Sequence, residues 1–398
     1  MLAFLLATIA VSASFEGGSV GRVEHVAPDY LKCAVKGQAD QNNRNRQANW
    51  YYFRLDNLPA SEVRIDFTDL VGEYNFRPGS HSVTRNSRPV YSYDNRTWKH
   101  FTDDQASWDE KEIQLTIRFK PERRTMWIAH TMPYTRRELD RLLKDVGGHP
   151  HLKRSVAGKT VHGREIPLLT ITDPSVPESG KKVVWLMARQ HAWETGTSFA
   201  ADGAVRFLLS KDAEAAQLRR TTIFQVMPVF DMDGMAEGAV RFNVNGYDNN
   251  RNWDTVDPKL MPEIAGTRQT MLAWLDAGHR IDLFLAMHNT ENTDYVEGPI
   301  SRGGPAMKAM ADDLVSRLRA TTNFYDPRSP RDSMGRGTID KGRMTVNQGL
   351  FSERKISAFL MELMVEKHPG LGRPRTAQDF SEFGAGLAKC LAAAAGSR

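Results

Sequence analysis

Three side chains carry the first hint of chemistry. His191 and Glu194 stand three residues apart in RQHAWETGTSF, and His288 follows much later in FLAMHNTENT. Two imidazoles and one carboxylate make a zinc set that leaves a fourth position for water, as catalytic rather than structural sites do. Each part alone also has a plain structural reading. His191 can cap the helix that follows, Glu194 suits a first helical turn, and a histidine after a strand is usually only hydrogen-bonded. Placement favours the metal. Both segments follow compact apolar runs, 183–188 and 281–287, and parallel strands gather ligands at their carboxyl ends.

Glu362 interrupts the apolar stretch ISAFLMEL, where a charged residue is costly to bury unless paired. It can face outward beside Lys355 or Lys367. Beside a zinc site it is the natural general base for water. Glu366 lies outside the apolar run and suits that task less. The segment 230–254, FDMDGMAEGAVRFNVNGYDNNRNWD, is loop-like and carries Arg241 and Arg251 with Asn250 beside the latter. Arginine captures carboxylates bidentately and a nearby asparagine adds a neutral donor, although such residues are also ordinary on a surface loop.

The elements that must position these groups follow from periodicity. KKVVWLMA, TTIFQVMPVF, IDLFLAM and ISAFLMEL are nearly continuous apolar runs, as buried strands of a mixed or parallel sheet should be. TSFAADGAVRFLLS and PAMKAMADDLVSRLRA read as helices between them, so an α/β domain is expected over 133–398. Ahead of it, 14–132 is strand-like, with Val63, Ile65 and Phe67 alternating, as do Ile113, Leu115, Ile117 and Phe119. An antiparallel β-sandwich is expected there. Thr135 with Glu138 forms a capping-box pattern that opens the first helix.

Composition narrows the rest. A chain of 398 residues with 40% hydrophobic and 25% charged residues is an ordinary two-domain globular protein. Its net charge of +5 is scattered, which argues against nucleic acid as a partner. Two cysteines, Cys33 and Cys390, cannot build a thiolate cluster, so a metal must rely on histidine and carboxylate. Leu2 to Val11 is an apolar run too short to span a bilayer. With Val11-Ser12-Ala13 as a small-residue cleavage site, 1–13 is a candidate signal peptide, which slightly favours a secreted or periplasmic location. No Lys or Arg precedes the run, and a buried first strand is the alternative.

Taken together, His191-x-x-Glu194, the run DNNRNWD from Asp248 to Asp254, His288 and Glu362 resemble the zinc metallocarboxypeptidases of the M14 family. SFEGGSVGRV, NWYYFRLDNL, HTMPYTRREL and GREIPLLTIT extend the resemblance to the cytosolic-carboxypeptidase-like branch, whose catalytic domain follows a β-sandwich. The resemblance implies a carboxypeptidase-like mixed sheet flanked by helices. It also implies one Zn²⁺ per chain on His191, Glu194 and His288, with Glu362 as base and acid. Arg241 would stabilise the oxyanion, Asn250 and Arg251 would clamp the substrate's α-carboxylate, and Asp248 would hold the outer nitrogen of His191. Peptide or protein C-terminal tails are the implied substrates. Arg343 resembles a basic residue of the acid-selective members, but Asn347-Gln348 stand where a Trp-Arg pair would be expected. A zinc amidohydrolase or deacylase of small acylated amino acids is the alternative; a non-catalytic binding module fits the residues less well.

Overall fold

Alternating apolar residues in the first third of the chain produce strands with one buried face. In the computed structural model, residues 8–335 and 341–396 are described. Twelve strands come first: β1 (Ala10–Ser12), β2 (Val23–Ala27), β3 (Tyr30–Ala34), β4 (Tyr52–Asp56), β5 (Val63–Thr68), β6 (Gly72–Tyr74), β7 (Arg77–Ser80), β8 (Val90–Ser92), β9 (Lys99–His100), β10 (Ala106–Asp109), β11 (Gln114–Phe119) and β12 (Thr125–Ala129). They form two five-stranded sheets, ordered β1-β4-β12-β8-β9 and β10-β11-β5-β3-β2, while β6 and β7 pair apart from both. Phe53, Ile65, Phe67, Leu115 and Ile117 fill the space between the sheets. One pair departs from the antiparallel expectation: β3 and β5 run parallel. The intervening β4 belongs to the opposite sheet, so the chain crosses the sandwich twice and returns in its original direction.

Ile9 is buried in the sandwich core and β1 pairs with β4. These residues of the candidate signal peptide are therefore part of the fold; residues 1–7 of that segment lie outside the described residues.

The remaining elements build a mixed sheet with helices on both faces. Their order is α1 (Arg136–Asp145), β13 (Leu152–Lys159), β14 (Glu165–Ile171), β15 (Lys182–Ala188), α2 (Thr195–Leu208), α3 (Ala213–Thr221), β16 (Thr222–Met227), α4 (Met232–Glu237), α5 (Pro262–Asp276), β17 (Leu283–Thr290), β18 (Tyr295–Gly298), α6 (Ile300–Thr321), β19 (Arg331–Asp332), α7 (Val346–Arg354), β20 (Ala358–Met364) and α8 (Ala377–Ala395). The sheet runs β13-β14-β16-β15-β17-β20-β18-β19. Its four inner strands β16, β15, β17 and β20 are mutually parallel, so their carboxyl ends share one edge. The capping box expected for α1 is present, with Glu138 accepting from the Thr135 N–H and hydroxyl.

Residues of α2, α6 and α8 pack on one face of the sheet, and those of α5 with Val346 and Leu350 of α7 on the other. α2 lies unusually close to α8. A Cβ on Gly384 would stand 1.8 Å from the carbonyl oxygen of Ala200, and one on Gly203 2.0 Å from that of Ser381. Only glycine permits that backbone approach, which holds the helix that begins at Thr195, directly after Glu194. Among the described residues no helix is long and apolar enough to cross a membrane.

Candidate metal centre and substrate cleft

The loop after β15 is turned sharply at Arg189, a buried non-glycine residue with φ of +61°. Its guanidinium pins the turn by donating to the carbonyls of Ala192 (2.9 Å) and Tyr134. His191 and Glu194 are thereby brought under the end of β17, where His288 projects. The three side chains are buried, and their ligand atoms lie within 4.8 Å of one another. Nδ1 of His191 is 2.7 Å from Glu194 Oε1, Nδ1 of His288 is 3.0 Å from Oε2, and the two Nδ1 atoms are 3.3 Å apart.

The outer nitrogens decide what these atoms can hold. Nε2 of His191 faces Asp248 Oδ1 at 3.0 Å, and Nε2 of His288 faces Gln190 Oε1 at 3.0 Å. Both partners are acceptors, so each imidazole carries its proton outward and turns a lone pair inward. Glu194 Oε2 is buried and receives no hydrogen bond. Two lone pairs and a carboxylate converging in a buried space fit a cation, and the histidine–carboxylate donor set suits Zn²⁺. A second cluster, His162, Asp233 and Glu237, differs in kind. The Arg164 guanidinium already bonds Asp233 there, so a cation is present in covalent form.

Asp248 sits at the hub behind this triad. Its Oδ2 accepts from Arg241 Nε at 2.7 Å, and its Oδ1 also accepts from the Asn250 N–H at 2.8 Å. Burial alone would push its carboxyl up, but Arg241, His191 and Arg251 outweigh burial and hold it well below the usual range. Glu362 lies beside His288 across the parallel β17–β20 pair, and its Oε2 has no hydrogen-bond partner. Its carboxyl is pushed well above the ordinary value by burial and then by Glu194, Glu291 and Glu297. Tyr295 stands opposite Glu362 on β18, and burial followed by the Glu362 charge raises its phenol.

Two cavities flank this centre. One, of about 330 Å³, is walled by Glu194, Glu362, Glu291, Tyr295 and Trp193. The other, of about 250 Å³, collects the guanidinium-bearing Arg241, Arg251 and Arg343 together with Asn252. Arg241 and Tyr74 line both cavities and stand between them. Arg343 is pulled down by burial and then by the neighbouring Arg251, partly offset by Asp248.

Asn250, expected beside Arg251 at the substrate carboxylate, has its own set of contacts. Asn250 is turned inward, with Oδ1 accepting from the Val346 N–H at 2.9 Å and Nδ2 3.4 Å from His288 Nε2. It does not line the arginine cavity; Asn252 does. Asn347 and Gln348 are absent from that lining as well, because Gln348 closes the capping box of α7.

Comparison with known proteins accounts for both halves of the chain. Residues 139–293 match the zinc carboxypeptidase family model, and 11–130 match the cytosolic carboxypeptidase N-terminal domain. The chain belongs to the M14 zinc carboxypeptidases. An uncharacterized protein of Zymomonas mobilis is 25% identical over 80% of this chain and 78% of its own length. Mouse cytosolic carboxypeptidase 3 is 27% identical over 71% of this chain, which spans only 29% of that larger protein. The fold is shared with a metallo-carboxypeptidase from Burkholderia cenocepacia (TM-score 0.83, 22% identity, 97% of this chain and 99% of that one). It is shared equally with a Pseudomonas aeruginosa metallo-carboxypeptidase solved with (2-guanidinoethylmercapto)succinic acid (TM-score 0.83, 22% identity, 98% and 99%).

Against this M14 frame, several site residues escaped the reading of the sequence. Gln190 bridges His288 and the Asn249 carbonyl, to which its Nε2 donates at 2.8 Å. Its only local signal was adjacency to His191. Tyr295 and Glu291 follow β17 in a polar stretch that looks like any loop. Tyr74 and Gln38 come from the sandwich, more than one hundred residues before the first ligand.

Proposed function

We propose that this protein is a zinc-dependent carboxypeptidase that hydrolyses the last peptide bond of peptides carrying a free C-terminal carboxylate. The observation that carries this reading is the placement of Arg241, Arg251 and Arg343 on one cavity beside the His191–Glu194–His288 centre. Zinc, when bound by those three residues, supplies Lewis-acid charge for the scissile carbonyl and its attacking water.

The chain's own residues do the rest. Arg251 holds the terminal carboxylate, which sets the last peptide bond over the centre. Glu362, buried and kept basic by its carboxylate neighbours, takes the proton from the attacking water and later gives it to the leaving amine. Arg241, fixed through Nε on Asp248, presents its remaining nitrogens to the negative charge that develops on the carbonyl oxygen. Asp248 meanwhile keeps the His191 lone pair pointed inward. Arg343, on the same cavity as Arg251, supports an acidic C-terminal residue, since its guanidinium can meet a second carboxylate.

The test compares a peptide library with free C-termini against the same peptides amidated, with products read by mass spectrometry. Free acids should lose their last residue and amides should be poor substrates. Equal cleavage of both overturns the exopeptidase reading. Activity confined to acylated single amino acids would assign a deacylase instead.

A further inference from the structure

The β6–β7 hairpin belongs to the sandwich in sequence but to neither of its sheets. Its base is stitched down firmly. The Arg46 guanidinium donates to the carbonyls of Val35 (2.7 Å) and Val71 (2.8 Å), and the Glu73 N–H donates to the Arg46 carbonyl at 2.9 Å. A Cβ on Gly72 would stand 2.0 Å from that carbonyl oxygen, so the hairpin lies flush on the segment beneath it. Its tip, by contrast, faces the catalytic domain. The Tyr74 ring lies 5.7 Å from the Arg241 guanidinium, and Asn75 Oδ1 accepts from Arg343 Nη2 at 3.0 Å. The Phe76 ring sits 5.9 Å from the same Arg343 guanidinium, and the Phe76 N–H is held by Asn45 Oδ1 at 2.7 Å.

Tyr74 is 45% exposed, a large aromatic side chain left open to solvent. It lines both cavities together with Arg241. A peptide whose last residue occupies the arginine cavity and whose preceding residue occupies the other must cross that partition. An aromatic face with a phenol at its rim suits a peptide backbone, offering stacking to the amide plane and one hydrogen bond. We propose that Tyr74 is a substrate-binding residue, supplied by the sandwich domain, that contacts the peptide where it passes between the two cavities. This rests on the carboxypeptidase reading. The sandwich is then part of the cleft rather than an appendage.

The experiment uses the full chain. Tyr74→Ala should raise KM for free-acid tripeptides about tenfold, the combined scale of one aromatic contact and one hydrogen bond. kcat should change much less, and zinc content and melting temperature should stay at wild-type levels. Calorimetric binding of the same tripeptides to Glu362→Gln protein, with and without Tyr74→Ala, should show the same factor in Kd. Tyr74→Phe assigns the effect: wild-type behaviour gives it to the ring, and behaviour like alanine gives it to the hydroxyl. Unchanged binding in the Tyr74→Ala background overturns the inference, as does a loss that tracks zinc content or melting temperature. The binding arm needs no turnover. Tyr74-dependent binding without hydrolysis would therefore sink the carboxypeptidase reading alone, and turnover with Tyr74-independent binding would sink this inference alone.

Discussion

Gln38 of the sandwich holds the backbone of Arg241 in the catalytic domain. Its Oε1 accepts from the Arg241 N–H at 2.7 Å, and also from Val240 (3.0 Å) and Phe242 (2.9 Å), while its Nε2 donates to the Phe242 carbonyl at 2.7 Å. One amide thus satisfies three backbone donors next to the arginine proposed for the oxyanion. Gln38→Leu removes all of these bonds without adding a polar group. Each unsatisfied buried donor costs about 1–3 kcal/mol, so a loss of stability of a few kcal/mol is expected. kcat should fall more than tenfold as Arg241 loses its fixed position. Chemical denaturation and steady-state kinetics on one preparation check both; unaltered kcat would leave Gln38 as mere packing.

Metal content is the next expectation. The purified protein should bind about one zinc per chain, and His191→Ala or His288→Ala should lose most of it. Asp248→Asn removes the carboxylate that orients His191, so zinc affinity should drop about 10–100-fold. Competition with a chromophoric chelator measures each value. Full zinc occupancy in both histidine variants would move the site elsewhere.

Glu362→Gln should retain zinc, since Glu362 lies outside the cluster of converging ligand atoms. Water activation depends on its carboxylate, so kcat should fall by several orders of magnitude. Near-normal turnover would send the search to other carboxyls of the cleft, with Glu291 first because it lines the same cavity.

The two outer arginines should separate by function. Arg251→Ala is expected to lower kcat/KM by about two to four decades on all free-acid peptides, because it positions the terminal carboxylate. Arg343→Ala should act mainly on peptides ending in an acidic residue and leave those ending in an apolar residue nearly unchanged. A uniform loss across both peptide sets would remove Arg343 from side-chain selection.

Asp231 gives a pH prediction for stability. It caps α4 by accepting from the Gly234 N–H at 2.8 Å, its Oδ2 has no partner, and burial pushes its carboxyl from the ordinary 3.8 to about 8. Between roughly pH 4 and 8 the unfolded chain has released a proton that the folded protein keeps. Stability should therefore fall as pH rises through that window, by at most about 1.4 kcal/mol per unit from this group, and flatten above it. Asp231→Asn keeps an acceptor for Gly234 and should shallow the slope. Identical slopes in urea titrations of the two proteins at pH 5, 6.5 and 8 would refute the assignment.

The clustering of His191, Glu194 and His288 was legible because its logic is local. A turn after a buried strand presents His191 and Glu194, a second strand end presents His288, and both strands announce themselves as apolar runs. Glu362 showed itself as a charge inside such a run, and the register that seats it beside His288 follows once β17 and β20 pair. The alternation of Val63, Ile65 and Phe67 likewise determined the sandwich strands, but not the parallel β3–β5 pair, which depends on which sheet β4 joins. The inward turn of Asn250 is also beyond a linear reading, since its partner is the Val346 N–H nearly one hundred residues later. Tyr74, Asn75 and Gln38 carry no motif at all. They reach the cleft only because the sandwich docks on the catalytic sheet, and contacts between domains are set by surface complementarity rather than by the period or spacing of any one segment.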